Sequence, residues 1–478
     1  MSKIVVPSLI IDGSAFLPES GYSVAIEQSM GAHSSFRVVF QTNATEGYTG
    51  ALMDSSLKFA GKKISIGLDG GKMQFVGMVT SVDLQKGSGA SGTLALCGQG
   101  PSILLSRSVQ CLSHEEGTPF GQMVADTLKG HATDVLKTAV GRGTDIKLPY
   151  TVQYNESDFA FLRRMCARYG VWMYDNGTGF CVGRTGDRQL HGIYGQDVRT
   201  FNLSASLQGR PSRFNAYDWT NNSALEADSA AFGPTGAHPY LDSVKKRSDS
   251  VFAKKGNYNG PHGQIEYSGQ QGLDTAAKVD TLGRAANMVL ASGSSVLVSL
   301  RVGDSLSIDG LNFSDPAKKD PFGTYMVTRL VHRFDHSGNY LNEFEGVPEG
   351  TEHPPYSDIS AAPYAEDQRG LVLDNADPDG LGRVRVQFDW QRAMGGATPW
   401  IKMATPYAGA DKGFYFVPEV DEEVLVGFEG GNAERPFVLG AGFNRTAKSP
   451  FADPDNNIKA IKTRSGNTIE LNDTKGGE

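Results

Sequence analysis

Short segments that alternate apolar and polar residues recur along the chain, which is the pattern of half-buried β-strands. One is Lys63–Leu68, which is followed by the turn residues Asp69–Gly71 and by a second alternating segment, Met73–Val79. Glycine suits this tight turn because it tolerates positive φ. Residues 93–97 add another short strand. Together these segments predict a small antiparallel barrel near the N-terminus.

Two helices are predicted in the next stretch, which runs from about residue 106 to 210. Thr118 can cap a helix whose first position is Pro119. Ser157 is a second candidate N-cap, and apolar residues recur after it at helical spacing as far as Gly170, which suits a helix end. A strand, a turn and a strand follow at 171–182, so this stretch predicts an inserted α+β unit.

From about residue 211 to 350 the pattern predicts one helix and then a second barrel. The helix is indicated by apolar residues at helical spacing, namely Val279, Leu282, Ala286 and Val289. Strands are predicted at 296–300, 305–308 and 325–330. The proline-rich segment Thr351–Pro363 then predicts a linker.

About five strands are predicted in the 80 or so residues after this linker, a number that suits the five-stranded barrel of an OB-fold. They are Arg383–Trp390, Trp400–Met403, Phe414–Val417, Glu423–Phe428 and Phe437–Gly440. The final segment, Ile458–Leu471, is also strand-like, but the sequence predicts no partner strand for it. Because a short isolated hairpin is marginal in water, we expect other chains or further sequence to complete this segment.

Composition and charge exclude several classes of protein. The chain has 45 basic and 53 acidic residues, and this acidic balance argues against general nucleic-acid binding, which needs a basic surface. The four cysteines form no C-x-x-C pair and indicate buried thiols in a reducing compartment. No window approaches the roughly 18 consecutive apolar residues of a membrane helix. The N-terminus shows only a broken apolar stretch, so we expect any export to proceed without a secretory signal peptide.

Catalytic motifs are weak. The chain has neither G-x-S-x-G nor a P-loop, and His114-Glu115-Glu116 lacks the second histidine of H-E-x-x-H, so a solvated loop is the favoured interpretation there. S-x-x-K occurs at Ser55 and at Ser243 without the motifs that accompany it in acyl-transfer enzymes. We therefore expect no catalytic residues.

Candidate ligand sites are equally weak. The loop Asn375–Gly380 resembles a calcium loop, but Val386 stands where a bidentate glutamate is required, which favours a plain turn. His332 and His336 are predicted on one face of a strand without further metal ligands. Trp390 and Trp400 could stack on a sugar or a base, although core packing is favoured. We expect no metal and no cofactor.

A family resemblance is carried by four segments of the last hundred residues. They are Asp377–Val386, Ala404–Val420, Glu422–Gly431 and Arg435–Gly440. They closely resemble VgrG, the valine-glycine repeat spike protein of type VI secretion systems, which is similar to the hub and needle proteins of contractile phage tails. Ile461–Glu470 resembles the beginning of that family's needle. Weaker resemblances lie upstream at Phe75–Val79, Gln153–Leu162, Gly323–Thr328 and Asn342–Phe344.

The resemblance implies a mainly β fold. The hub would consist of two antiparallel β-barrels with an inserted α+β unit, and an OB-fold would connect it to an intertwined trimeric β-helix. The implied boundaries are 1–105 for the first barrel, 106–210 for the insertion, 211–350 for the second barrel, 351–364 for a linker, 365–445 for the OB-fold, and 446–478 for a linker and the start of the needle.

The implied function is structural and not enzymatic. A homotrimer would cap a hexameric Hcp-type tube, carry a PAAR-type tip protein and effectors, contact baseplate proteins, and puncture a target membrane when an outer sheath contracts. The protein would assemble in the cytoplasm and then be secreted or injected. Interwoven β-structure suits this role because it leaves no free strand edge.

Several alternatives remain open from the sequence alone. The chain could belong to an extracellular injection particle or a phage tail, and its needle could be truncated or unusually short. A cell-wall hydrolase would need a paired-carboxylate domain, and only about 15 residues separate Phe443 from Ile458, which is too few. A ligand-binding OB module is the third alternative.

Overall fold

The computed structural model describes residues 3–16, 21–43, 57–86, 91–186, 188–209, 213–233, 239–259, 269–312, 314–315 and 318–476. The chain divides into two compact units. Unit 1 contains residues 1–365 together with the short segment 429–435, and unit 2 contains residues 366–428 and 436–478. The chain is mainly β, as predicted.

Unit 1 contains twenty-two of the described strands and all four of the described α-helices. The strands are β1 (Lys3–Ile4), β2 (Pro7–Ile11), β3 (Ser14–Phe16), β4 (Tyr22–Ser29), β5 (Ser35–Asn43), β6 (Lys63–Leu68), β7 (Met73–Lys86), β8 (Ser91–Gln99), β9 (Val109–His114), β10 (Thr138–Val140), β11 (Thr151–Ser157), β12 (Met173–Asp175), β13 (Phe180–Val182), β14 (Gln189–Ile193), β15 (Val198–Ala205), β16 (Arg213–Asp218), β17 (Ser223–Asp228), β18 (Asn257–Asn259), β19 (Val289–Ser295), β20 (Ser305–Leu311), β21 (Lys319–Phe334) and β22 (Asn339–Pro348). The helices are α1 (Phe120–Thr127), α2 (Asp158–Tyr169), α3 (Pro239–Val251) and α4 (Gly269–Ala285).

One 14-stranded sheet joins the two ends of unit 1. Its main path runs β15-β19-β22-β21-β4-β5-β8-β7-β6-β2-β3, with β1 beside β22, β20 beside β21 and β14 beside β20. The join between early and late strands is the antiparallel pair of β4 and β21, in which Ser29 lies opposite Arg329. Two separate apolar clusters pack on this sheet, one from β2 and β4–β8 and the other mainly from β19–β22.

The local signals of the N-terminal hairpin and of the second helix are confirmed. Strands β6 and β7 pair with Leu68 opposite Met73, and Asp69–Gly71 have positive φ in the turn between them. Ser157 Oγ accepts a hydrogen bond from the Ala160 amide, and α2 ends before Gly170 at φ 64°.

Helix α1 also forms, but Thr118 does not cap it. The hydroxyl of Thr118 donates to the Glu115 carbonyl instead, and Pro119 occupies the N-cap position without a side-chain hydrogen bond.

The predicted helix with Val279 and Leu282 forms, but it ends at Ala285, and Val289 begins strand β19. The prediction of a strand at 296–300 is wrong, because this segment is a turn that buries Val298 and Leu300. An apolar loop buried in a core imitates the alternation of a strand, which explains the error.

The small layer formed by β16–β18 and α4 was only partly predicted, and helix α3, which packs beside β15 and β19, was not predicted. Strands β17, β16 and β18 form a three-stranded sheet, and α4 packs on it through Leu273, Ala276 and Ala277. Helix α3 was missed because its surface is largely polar and it buries few apolar side chains.

Unit 2 contains eight of the described strands. They are β23 (Gln368–Asp374), β24 (Arg385–Phe388), β25 (Ala408–Gly409), β26 (Lys412–Gly413), β27 (Glu423–Phe428), β28 (Pro436–Ala441), β29 (Ile458–Lys462) and β30 (Thr468–Asn472). Strands β24-β23-β27-β28 form one sheet. The segment 401–404 bridges its two edges, because Ile401 pairs with Val384 and Met403 with Val438. This closed arrangement of five segments agrees with an OB barrel.

One strand prediction for unit 2 is wrong. No strand forms at Phe414–Val417, because the ladder of β25 and β26 stops at Gly413 and the aromatic side chains beyond it are exposed. The final segment folds into a hairpin of β29 and β30, since Gly466 at φ 91° permits the turn between them. Among the described residues these two strands pair only with each other, as expected of a segment without a partner strand.

Candidate assembly site

Exposed apolar side chains are concentrated in unit 2. Among the described residues, fourteen of the twenty-eight exposed large apolar side chains belong to unit 2, which has fewer than a quarter of the residues of the chain. Isolated exposed apolar residues are normal, whereas a dense set of them marks an interaction surface. Unit 2 is therefore the candidate assembly site.

The hairpin of β29 and β30 has one apolar face. In its register Ile461 lies opposite Ile469 and Lys459 opposite Leu471, so these four side chains share one face. All three apolar side chains of this face are exposed, Ile469 by 64%. The opposite face contains mainly polar residues, such as Lys462 and Thr468. An amphipathic hairpin with an uncovered apolar face is incomplete as a single chain.

A second exposed surface is the aromatic arm, which we define as residues 407–420. It carries four exposed rings and an exposed valine, namely Tyr407, Phe414, Tyr415, Phe416 and Val420. Its strands β25 and β26 have two residues each, so few backbone hydrogen bonds hold the arm together. Arg464 in the turn of the hairpin pairs with Glu419 of the arm at 2.9 Å, so the two surfaces are neighbours within unit 2.

Unit 1 has a buried cluster of charged side chains centred on Glu434. This carboxylate is 1% exposed and lies between Arg164, at 3.2 Å, and Arg168. Arg164 also pairs with Glu156 at 2.8 Å. Burial opposes the charge of Arg164, but the carboxylates of Glu434 and Glu156 outweigh that effect and raise its pKa. The cluster holds the segment 429–435 against helix α2.

A buried acid, Asp175, lies at the end of β12. Its Oδ1 accepts a hydrogen bond from the Gly177 amide at 2.9 Å, and its own carbonyl accepts one from the Gln28 side chain at 3.0 Å. Burial is the largest influence on this carboxyl and raises its pKa to about 7. Gly100 leaves the space in which the carboxyl sits, since a side chain there would overlap Asp175 Oδ2.

The loop that resembles a calcium site is closed by an arginine. Hydrogen bonds from the Arg383 guanidinium to the Asp377 carboxylate, together with backbone amides, lower the pKa of Asp377. Gly380 and Gly382 adopt positive φ in this turn. The arrangement is the turn that the sequence favoured, and Arg383 occupies the carboxylate oxygens that a cation would need.

His332 and His336 do not share a face, so that prediction is wrong. Strand β21 ends at Phe334, and His336 lies exposed in the turn beyond it. His332 is buried and its Nδ1 is 2.7 Å from the hydroxyl of Tyr340. Burial first, and the charge of Arg301 second, lower the pKa of His332 to about 3, so it is a neutral core residue at pH 7.

The remaining motif residues are also structural. His114 is half-buried and stacks on Phe161 with an interplanar angle of 6°, so it is not part of a solvated loop. Trp390 lies in a 3₁₀ helix after β24 and stacks on Phe388 at 5.6 Å, which agrees with core packing. Ser243 lies exposed on α3, and Ser55 is outside the described residues.

The described residues contain neither a metal-binding cluster nor a membrane-spanning helix. None of their His, Cys, Asp and Glu side chains form a group of three or more that could hold a metal ion. Over the same part of the chain, no helix has both the length and the apolar character needed to cross a membrane.

Comparison with protein families identifies the class. The family described as phage tail baseplate hub (GPD) matches residues 54–338, and the type VI secretion system/phage-baseplate injector OB domain matches residues 368–443. Since the first match covers more than half of the chain, the protein belongs to the phage tail baseplate hub family.

The expected resemblance to VgrG spike proteins is confirmed by curated relatives. The type VI secretion system spike protein VgrG1b of Pseudomonas aeruginosa is 23% identical over 87% of this chain and 60% of its own length. VgrG2a of the same organism is 35% identical over 20% of this chain and 12% of its own length. The chain thus covers less than two thirds of the length of each of these relatives.

Solved structures agree on the fold. A type VI secretion component of E. coli, described as similar to the phage T4 tail proteins gp27 and gp5, has a TM-score of 0.55 at 15% identity and covers 91% of this chain and 99% of its own. A Francisella PdpA–VgrG complex has a TM-score of 0.59 at 7% identity and covers 99% of this chain and 84% of its own. These structures show a shared fold, and the family match together with the curated relatives supports a hub-and-spike role in a type VI secretion system or a phage baseplate.

Proposed function

We propose that the chain forms a trimeric hub and spike of a contractile injection machine. Residues 1 to about 360 would form the hub in two barrels with an α+β insertion and would cap an Hcp-type tube. The OB barrel would lead to an intertwined β-helix needle that carries a PAAR-type tip and effectors. Contraction would drive this spike through a target membrane, after assembly in the cytoplasm.

The observation that carries this proposal is the uncovered apolar face of the hairpin. Ile461, Ile469 and Leu471 repeat on one side of two paired strands, and in a single chain they face water. Three copies placed around an axis would bury these side chains against each other, and their strands could continue into an interwoven needle. The charge cluster at Glu434 and the packed sheet add rigidity, which a piercing device requires.

The test is the solution mass of the protein and of two single variants. Three chains of 51.3 kDa predict a particle of about 154 kDa. Ile469→Asp places a charge on the apolar face, and we expect it to give monomers. Thr474→Asp is the matched control, because it adds the same charge at an exposed residue beyond the end of β30, and it should remain trimeric.

Two results would contradict the proposal. A native chain that is monomeric at micromolar concentration would exclude a trimeric spike formed through this hairpin. A trimer that survives Ile469→Asp would show that the hairpin does not hold the chains together.

A further inference from the structure

The aromatic arm, residues 407–420, has no cover in the single chain. Tyr415 is 73% exposed and Phe416 is 55% exposed, although the hairpin of the same chain lies within reach through the pair of Arg464 and Glu419. The hairpin of the same chain therefore does not cover these rings. Large exposed aromatic side chains near one another are typical of the centres of protein interfaces.

Charge indicates what fits against the arm. The arm contains Asp411 and Glu419 against Lys412, and three more acidic residues follow it directly at 421–423. The outward face and the turn of the hairpin contain Lys462 and Arg464 against Glu470. Within the chain, Arg464 already pairs with Glu419 of the arm. Opposite charges of this kind favour and orient an association.

Cations of this unit also lie over aromatic rings. Lys412 Nζ is 5.8 Å from the centre of the Tyr407 ring, and Lys462 Nζ is 5.9 Å from the centre of the Phe451 ring. Such contacts contribute modestly at exposed sites and more once water is excluded. Neither contact joins the arm to the hairpin, but a ring of the arm does receive a cation and a lysine of the hairpin does lie over a ring, so the same type of contact is available between two copies.

We propose that the aromatic arm of one copy docks on the hairpin of a neighbouring copy. This inference rests on the trimer proposed above and adds a second inter-chain contact to it. When Ile461, Ile469 and Leu471 meet at the axis, the opposite face of each hairpin, which includes Lys462, points outward. The arm of the next chain packs on that outward face and on the Arg464 turn, and it closes the hairpins from outside.

Photo-crosslinking of the full chain tests the contact directly. Tyr415 is replaced by p-benzoylphenylalanine, and ¹⁵N-labelled and unlabelled chains are mixed before assembly. We expect irradiation to join position 415 of one chain to residues 458–472 of a differently labelled chain. The same replacement at Tyr217, a comparably exposed tyrosine of unit 1, is the control and should give no such product.

The mass before irradiation separates the two proposals. A trimer whose crosslinks stay within one chain, or reach another part of the neighbour, overturns the docking of the arm and leaves the trimer intact. A monomer overturns both proposals.

A second measurement is the concentration at which half of the chains are trimeric. Tyr415→Ala should raise the concentration at which half of the chains are trimeric by about tenfold or more, as expected for a central aromatic residue of an interface. Tyr217→Ala should leave that concentration unchanged. An unchanged value for Tyr415→Ala would contradict the proposal.

Discussion

The side chain of Glu434 is buried away from water, and it pairs there with two arginines, Arg164 and Arg168. Removing a charge from water costs several kcal/mol, and the cost is recovered only when its partners are close and well hydrogen-bonded. Here Arg168 also donates to the Ala361 carbonyl and Arg164 to the Val152 carbonyl, so each guanidinium is held by several acceptors. Such a cluster tolerates the loss of one member poorly.

Glu434→Gln should lower the free energy of unfolding by about 3–5 kcal/mol, because it leaves two arginines buried without their shared carboxylate. Asp126→Asn at the exposed pair with Lys129 is the control, for which we expect a change below about 1 kcal/mol. Urea unfolding of both variants measures the difference. Equal effects would show that burial of the cluster has no consequence for stability.

Asp175 should make stability depend on pH. A pKa raised from 3.8 to about 7 corresponds to roughly 4 kcal/mol of preference for the protonated form in the folded state. This contribution is complete below the unfolded pKa and is lost as the pH rises through about 7. We expect the stability of the native chain relative to Asp175→Asn to fall between pH 4 and pH 8.

Denaturant unfolding of the native chain and of Asp175→Asn across this pH range gives the relative stability. Taking the difference between the two proteins removes the titration of other groups, such as the buried neutral His332. Asp83→Asn, at an exposed strand position, serves as the control. A difference that stays flat from pH 4 to pH 8 would show that this carboxyl is ionised in the folded protein.

At the scale of elements, helix α2 shows how a local signal and a distant contact combine. Gly170 ends the helix in the left-handed region, at φ 64°, where a side chain is strained. A Cβ at this position would also overlap the His353 ring, since it would lie 2.3 Å from Nδ1. Chain conformation and packing therefore both require glycine here.

Gly170→Ala should destabilise the protein by clearly more than Gly130→Ala. Gly130 also has positive φ, at 85°, but open space surrounds it, so alanine there costs only the backbone strain of about 1–2 kcal/mol. Thermal unfolding of the two variants separates strain from overlap. Equal melting temperatures would mean that His353 moves aside without cost.

The elements that could be predicted are those whose signals lie close together in sequence. Ser157 and Gly170 define α2 through its two ends, and the glycines after Leu68 define the turn between β6 and β7. The charge cluster could not be predicted, since Glu434 and Arg164 are 270 residues apart. The only local indication of the cluster in the sequence is that Arg164 and Arg168 are four residues apart and so lie on one face of a helix.

For the candidate site, the sequence predicted its location but not its geometry. The final strand-like segment was expected to need other chains, and the structure shows why: one face of its hairpin is apolar and uncovered. The turn at Gly466 and the exposure of the arm were missed, because alternation alone does not show whether a neighbouring surface exists.

At the scale of the whole molecule, the uneven distribution of exposed apolar side chains should be visible in dye binding. If unit 2 is covered by other copies, the fluorescence of an apolar dye such as ANS should fall per chain as the protein concentration rises through the range of assembly. Ile469→Asp should keep the high signal at all concentrations. A signal independent of concentration in the native chain would mean that these side chains stay open to water.

The pairing of β1 with β22 places Lys3 opposite Tyr340. During synthesis β1 therefore cannot pair with β22 until more than 330 further residues have left the ribosome. This takes roughly 20 s to over a minute at bacterial rates of about 5–20 residues per second. During the same time the edge of β4 that pairs with β21 in the folded protein has no partner strand. The largest sheet of this protein is thus completed late, and nascent chains that crowd on one messenger RNA are at risk of pairing with each other before each can close on itself.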